Sequence, residues 1–190
     1  ILITYLLFFL NPKTFIALLP FGIFTLFYVV PINFKKVNPV TLRSIVLLKL
    51  FLIAISWAGV TVFIPLVNYN IDFSAKEMII LAQRFLFIIA ITIPFDIRDI
   101  EFDSISLQTL PQIVGIKRSK KIGLLCLLLF LGLEFFQNPV NVINFRIDLI
   151  VASISLLLLL KSTEKQHKYY SAFFVESIPI IWLFLEIVLK

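Results

Sequence analysis

The sequence is short of charge, of glycine and of cysteine. Only 15% of its 190 residues are charged, and glycine occurs five times. A single cysteine excludes an internal disulfide, and Cys126, inside "LLCLLLF", reads as an inert packing residue. The one histidine, His167 in "KSTEKQHKYY", has no second histidine or nearby cysteine with which to share a zinc ion, so it reads as a loop residue. Alternation of polar and apolar residues at strand period is absent, as are low-complexity linkers. The opening stretch "ILITYLLFFL" lacks the charged start and small-residue cleavage site of a signal peptide and is too short to span a bilayer. The chain is therefore expected to begin inside a helix whose upstream part is missing.

What is present is apolar. Hydrophobic residues make up 61% of the chain and the mean hydropathy is +1.06, well beyond the composition of soluble domains. Apolar runs recur at roughly 1–10, 14–31, 42–67, 77–95, 121–136, 147–160 and 169–189. Pro12, Pro31, Pro39, Pro65, Pro94, Pro111 and Pro139 fall at or near their ends, where proline can stop a helix. Lipid leaves only helices or closed barrels able to satisfy the backbone. The expected fold is all-α: a single transmembrane domain over 1–190, a polytopic bundle of about seven segments.

The basic residues are distributed unevenly. If the segments alternate sides, one face collects Lys35, Lys36, Arg43, Arg98, Lys117, Arg118, Lys120, Lys121, Lys161, Lys165 and Lys168. The other face keeps Lys13, Lys76, Arg146 and Lys190. The positive-inside rule makes the first face cytoplasmic. Tyr169 and Tyr170 read as interfacial anchors there. The expected localisation is integral and multi-pass, in a bacterial cytoplasmic membrane.

On that face lies the most polar stretch of the chain, "PFDIRDIEFDS" at 94–104. On a regular helix Asp96, Asp99 and Asp103 fall within an arc of about 60°, while Arg98 and Glu101 point elsewhere. Three carboxylates on one stripe repel, and apolar neighbours raise the cost of keeping them ionised. A divalent cation offsets both penalties, and Mg²⁺ retains coordination sites for phosphate oxygens. Lys117, Arg118, Lys120 and Lys121 close the same loop, and Lys35 and Lys36 lie on its neighbour. Carboxylates for a metal and cations for phosphate would together clamp a diphosphate. The plainer reading is a solvated loop of mixed charge.

The stretch "PFDIRDIEFDSISLQTLPQIVG" resembles the second aspartate-rich motif of the UbiA-type intramembrane prenyltransferase superfamily. Asp96, Arg98, Asp99 and Asp103 match it, as do Thr109, Leu110, Pro111 and Gly115. "YVVPINFKK", with Tyr28, Pro31, Lys35 and Lys36, resembles a tyrosine-to-lysine stretch of that family, and "SWAG" at 56–59 is similar to a following helix. The resemblance implies a nine-helix fold of which these segments are the third to ninth helices. The first two helices and the first aspartate-rich motif would be missing, so this chain alone is expected to be inactive.

The resemblance also implies an activity: Mg²⁺-dependent transfer of a polyprenyl group from an allylic diphosphate to a lipophilic, often aromatic, acceptor. Asp96, Asp99 and Asp103 would be the metal ligands and catalytic carboxylates. Lys35, Lys36, Arg98, Lys117 and Arg118 would bind the diphosphate. Tyr28, Trp57 and Glu176 are candidates for the cavity wall. Polyprenyl diphosphate, the acceptor and membrane lipids are the expected partners, and nucleic acid is not. Two other readings compete. A CDP-alcohol phosphotransferase would need a D-G-x-x-A-R pattern whose Gly and Ala are missing here. The other is a carrier or degenerate scaffold with a charged cytoplasmic loop. Elsewhere, Glu134 and Glu186 are expected to be solvated at the far interface, and Arg84 to snorkel or pair with Glu77 or Asp72. Lys49 is expected to behave like Arg84.

Overall fold

A computed structural model describes residues 11–29, 47–101, 109–137, 139–167 and 169–190. The chain is all-helical over these residues. In chain order the helices are α1 (Pro12–Val29), α2 (Leu48–Asn68), α3 (Ala75–Arg98), α4 (Leu110–Val114), α5 (Ile116–Leu133), α6 (Val142–Lys161) and α7 (Tyr170–Leu189). Four of them, α2, α3, α6 and α7, are long and apolar enough to cross a membrane. The apolar run at 1–10 lies outside the described residues.

Local chemistry sets the helix starts. Ser74 and Glu77 form a capping box at α3: the Ser74 backbone N–H donates to Glu77 Oε2 at 3.1 Å, and the Lys76 N–H donates to Ser74 Oγ at 3.3 Å. Asn141 Oδ1 accepts from the backbone N–H groups of Ile143 and Asn144 and so starts α6. Gly115 takes a positive φ of 80° between α4 and α5, a conformation that other residues adopt at a cost. Helix α5 begins at Ile116, earlier than the hydropathy alone suggests, because its first turns carry Lys117, Arg118, Lys120 and Lys121. These charges lie on a helix and not in a loop.

Prolines stop fewer helices than expected. Pro12 and Pro111 do sit in first turns, where no N–H is missed. Pro65 lies inside α2, which widens to a π-turn over Gly59–Phe63 just before it, with the Ile64 N–H reaching back to the Gly59 carbonyl. Pro94 lies inside α3, which continues to Arg98. The Pro94 carbonyl accepts a hydrogen bond from Gln166 Nε2 at 2.8 Å. That bond ties the 162–167 connection to the last turn of α3.

Helix α3 is the spine. Its most extensive contacts are with α5, and α2 is its next neighbour. An aromatic group at the centre joins three helices: the rings of Phe87 (α3), Phe130 (α5) and Trp182 (α7) lie 4.9–5.9 Å apart, mostly edge to face. Closer to the α3 C-terminus, Gly123 of α5 lets Leu159 of α6 and Ile93 of α3 approach, and an added Cβ would come within 2.6 Å of a Leu159 methyl. Large apolar side chains such as Phe173, Phe184 and Ile187 of α7 face outward, an arrangement compatible with a multi-pass membrane protein. Gly123→Val is expected to overfill this crossing and lower stability by about 1–3 kcal/mol. Gly132→Val, where nothing lies within 4 Å, serves as control. Thermal unfolding of the two variants in detergent checks the difference.

Candidate functional site

The aspartate-rich stretch begins in the last turn of α3 and leaves it. Asp96 is only 2% exposed and accepts an ion-paired hydrogen bond from Lys49 Nζ, in the first turn of α2, at 2.9 Å. Asp99 follows the end of the α-helix and opens a 3₁₀ turn, Asp99–Glu101. Arg98 holds both of its oxygens, Nε to Oδ1 at 2.6 Å and an Nη to Oδ2 at 2.9 Å. The guanidinium also lies over the Phe95 ring, 5.6 Å from its centroid.

Two expectations change as a result. The helical stripe does not run on through Asp99, because the backbone tightens there to 3₁₀ geometry. Nor are these carboxylates left without a protein counter-charge. Lys49 pairs with Asp96, as one branch of its expectation had it, and Arg98, expected to point elsewhere, pairs with Asp99. Asp103, Lys35 and Lys36 lie outside the described residues.

The cations of α5 divide into two groups. Lys120 Nζ donates to the carbonyls of Leu160 and Ser162, both at 2.7 Å, and so caps the C-terminus of α6. Lys117 and Arg118 instead line a cavity of about 700 Å³ with Ile100, Gln112 and Glu164. This cavity opens at the N-terminus of the 18-residue α5, whose unsatisfied N–H groups and dipole favour an anion. The "TLPQ" stretch that bounds it is a helix start: the Thr109 N–H donates to Gln112 Oε1 at 3.0 Å, with Pro111 in the first turn.

The cavity-wall candidates are scattered. Tyr28 is in the last turn of α1, with its side chain outside the described set. Trp57 is 57% exposed and borders a cleft of about 170 Å³ between α1 and α2. Glu176 is exposed on α7, between its π-helical start and the α-helix from Ile178. A larger apolar cavity, about 290 Å³, lies between α1, α2 and α3 and is bordered by Phe21, Ile55, Phe63 and Phe85. No sequence motif marked it, because its walls come from three separate runs of ordinary apolar residues.

The resemblance implies Mg²⁺ held by Asp96, Asp99 and Asp103. Asp96 and Asp99 are each engaged by a protein cation, and among the described residues no group of three or more His, Cys, Asp or Glu gathers. Asp103, the third ligand that the resemblance implies, lies outside the described residues, and no step below runs through the ion.

The far half of α3 also departs from expectation. Glu134 is 1% exposed and not solvated. Arg84 lies over the Trp182 ring, 3.8 Å from its centroid, and not beside Glu77, which caps its own helix. Glu186 alone behaves as foreseen, half-exposed and paired with Lys190 at 2.9 Å.

The Lys49–Asp96 pair predicts a specific thermodynamic pattern. Lys49→Met removes the ammonium from beside a buried carboxylate and is expected to lower stability, by at most about 3–5 kcal/mol. Lys49→Met with Asp96→Leu is expected to recover most of that. Unfolding of the single and double variants in detergent measures the coupling.

No family model, curated protein or solved structure matches the chain.

Proposed function

We propose that the protein is a multi-pass membrane prenyltransferase of the UbiA type, which transfers a polyprenyl group from an allylic diphosphate to a lipophilic acceptor. On this reading the described helices correspond to the third to ninth helices of that fold, and the α3–α5 connection faces the cytoplasm. One observation carries it: the matched motif from Asp96 to Gly115 ends at a cavity that presents Lys117 and Arg118 at a helix N-terminus. That is chemistry suited to a diphosphate.

The chain's own residues would act as follows. Lys117 and Arg118 hold phosphate oxygens, with Arg98 beside them in sequence order on the same connection. Asp96 and Asp99 fix Lys49 and Arg98 at the mouth of the bundle. The prenyl tail lies against apolar surface such as the cavity between α1, α2 and α3. The allylic C–O bond breaks with its electron pair leaving on the diphosphate, where the cations stabilise the developing charge. The acceptor's nucleophilic atom then bonds to the allylic carbon and loses its proton. Aromatic side chains, Tyr28 and Trp57 among the candidates, would shield the cation from water.

A second reading is favoured by the ion pairs themselves. Carboxylates already neutralised by Lys49 and Arg98 suit a structural clamp in a non-catalytic membrane protein. Binding separates the two. A non-hydrolysable isoprenoid thiodiphosphate is expected to bind the protein in nanodiscs, with and without Mg²⁺. Lys117→Ala or Arg118→Ala should each weaken it about tenfold, the loss of one charge-assisted contact. In a protein that also supplies the first aspartate-rich motif of this fold, product formation from a panel of acceptors, followed by mass spectrometry, should be lost in Asp96→Ala and Asp99→Ala, while these 190 residues alone should give no product. Turnover retained in both aspartate variants, or affinity untouched by both cation variants, would favour the structural reading.

A further inference from the structure

The connection from α5 to α6 reads "QNPVNVIN" at 137–144, with four carboxamides and no charge. A carboxamide taken out of water costs free energy until its oxygen and its N–H groups are both paired. Gln137 is 7% exposed, and its pairing is one-sided. Its Nε2 donates to Glu134 Oε2, in the turn after α5, at 2.7 Å and to Gln83 Oε1 of α3 at 3.3 Å. Gln83 Nε2 in turn donates to Glu134 Oε2 at 3.0 Å and to the Phe130 carbonyl at 3.1 Å. The Gln137 amide is thus held from two helices. Both of its side-chain bonds use Nε2, which leaves Oε1 an acceptor without a donor among the described residues.

Gln137 also lines a cavity of about 520 Å³ at the starts of α3 and α6, two of the membrane-length helices. That volume lies within the range of small-molecule sites. Lys76 of α3 is exposed and lines the same cavity. So does Asn144 of α6, whose Oδ1 is buried without a hydrogen-bond partner among the described residues. A half-turn of that amide exchanges the positions of Oδ1 and Nδ2. Val140, Val142 and Ile143 complete the polar wall with exposed apolar surface.

These groups select a ligand. An acceptor whose N–H groups are already spent is matched by a group that only donates. A primary ammonium has three N–H donors and no acceptor, whereas a hydroxyl brings lone pairs that Gln137 has no N–H left to meet. Lys76 offers a point charge to an anion such as phosphate. The exposed valines and isoleucine suit a hydrocarbon attached to the same molecule. An ammonium, a phosphate and acyl chains occur together in a phospholipid with an ethanolamine headgroup, and helix starts of membrane length lie at headgroup depth.

We propose that this cavity binds the headgroup of an aminophospholipid, with its ammonium on Gln137 Oε1 and the Asn144 amide and its phosphate on Lys76. Gln83 and Glu134 position Gln137 and do not touch the lipid. The site rests on the multi-pass part of the reading above and not on prenyl transfer.

The test places the full chain in nanodiscs of equal parts phosphatidylethanolamine, phosphatidylcholine and phosphatidylglycerol, and counts the lipid retained by native mass spectrometry. Phosphatidylethanolamine is expected to be retained about tenfold over the other two, since the choline nitrogen has no N–H and glycerol donates only through hydroxyls. Lys76→Gln should weaken its retention about tenfold, the loss of one charge-assisted contact. Asn144→Leu, which leaves the Gln83–Glu134–Gln137 bonds intact, should narrow the preference for ethanolamine over choline. Equal retention of the three lipids, or a preference unmoved by both variants, would overturn the proposal. Soluble phosphoethanolamine that displaces the lipid at equal concentration would overturn the role of the acyl chains. Failure of the protein to enter nanodiscs would overturn the multi-pass reading and this site with it.

Discussion

An ionised side chain enclosed by apolar helices must find its counter-charge within the protein, because neither lipid nor neighbouring side chains solvate it. That constraint organises this bundle. Helix α3 carries charge near both of its ends, and at each end the answer differs. At the C-terminal end Asp96 meets Lys49 directly, from a helix almost fifty residues earlier in the chain. In the other half Arg84 rests on the face of Trp182, with the charges of Asp148 on α6 and Glu186 on α7 the ones that act on it. Between the two polar groups the aromatic contacts of Phe87, Phe130 and Trp182 fill the centre. Polar ends and an aromatic middle fix the register of α2, α5, α6 and α7 against α3.

The Lys49–Asp96 pair also shapes the chemistry available at the basic end. A carboxylate committed to an ammonium is a poor vacant ligand, so the diphosphate reading leans on Lys117, Arg118 and the α5 N-terminus more than on a carboxylate-held metal. The Gln166 contact to the Pro94 carbonyl braces the same turn from the α6–α7 connection.

The apolar helices and their approximate bounds were legible because hydropathy is a local property of the chain. The site was legible in part. The aspartate pattern marked Asp96 and Asp99 as exceptional, but an extrapolated helix turned them the same way, where the backbone tightens after Arg98. Glu134 looked solvated because it sits near the end of an apolar run. Its burial depends on Gln83 and Gln137, and the Gln83 contact bridges fifty-one residues of sequence. Arg84 over Trp182 is a contact of the same kind. Such pairings are properties of helix packing, and no single segment carries their signal.

The central constraint is tested most directly at Lys49 and Asp96. In bilayers, magnetic-resonance dipolar coupling between the labelled Lys49 Nζ and Asp96 carboxyl carbon reports their separation without perturbing either. Strong coupling, as for atoms in direct contact, is expected, and it should persist when Mg²⁺ is added. Absent coupling, or coupling abolished by the metal, would contradict a bundle held together by its own internal counter-charge.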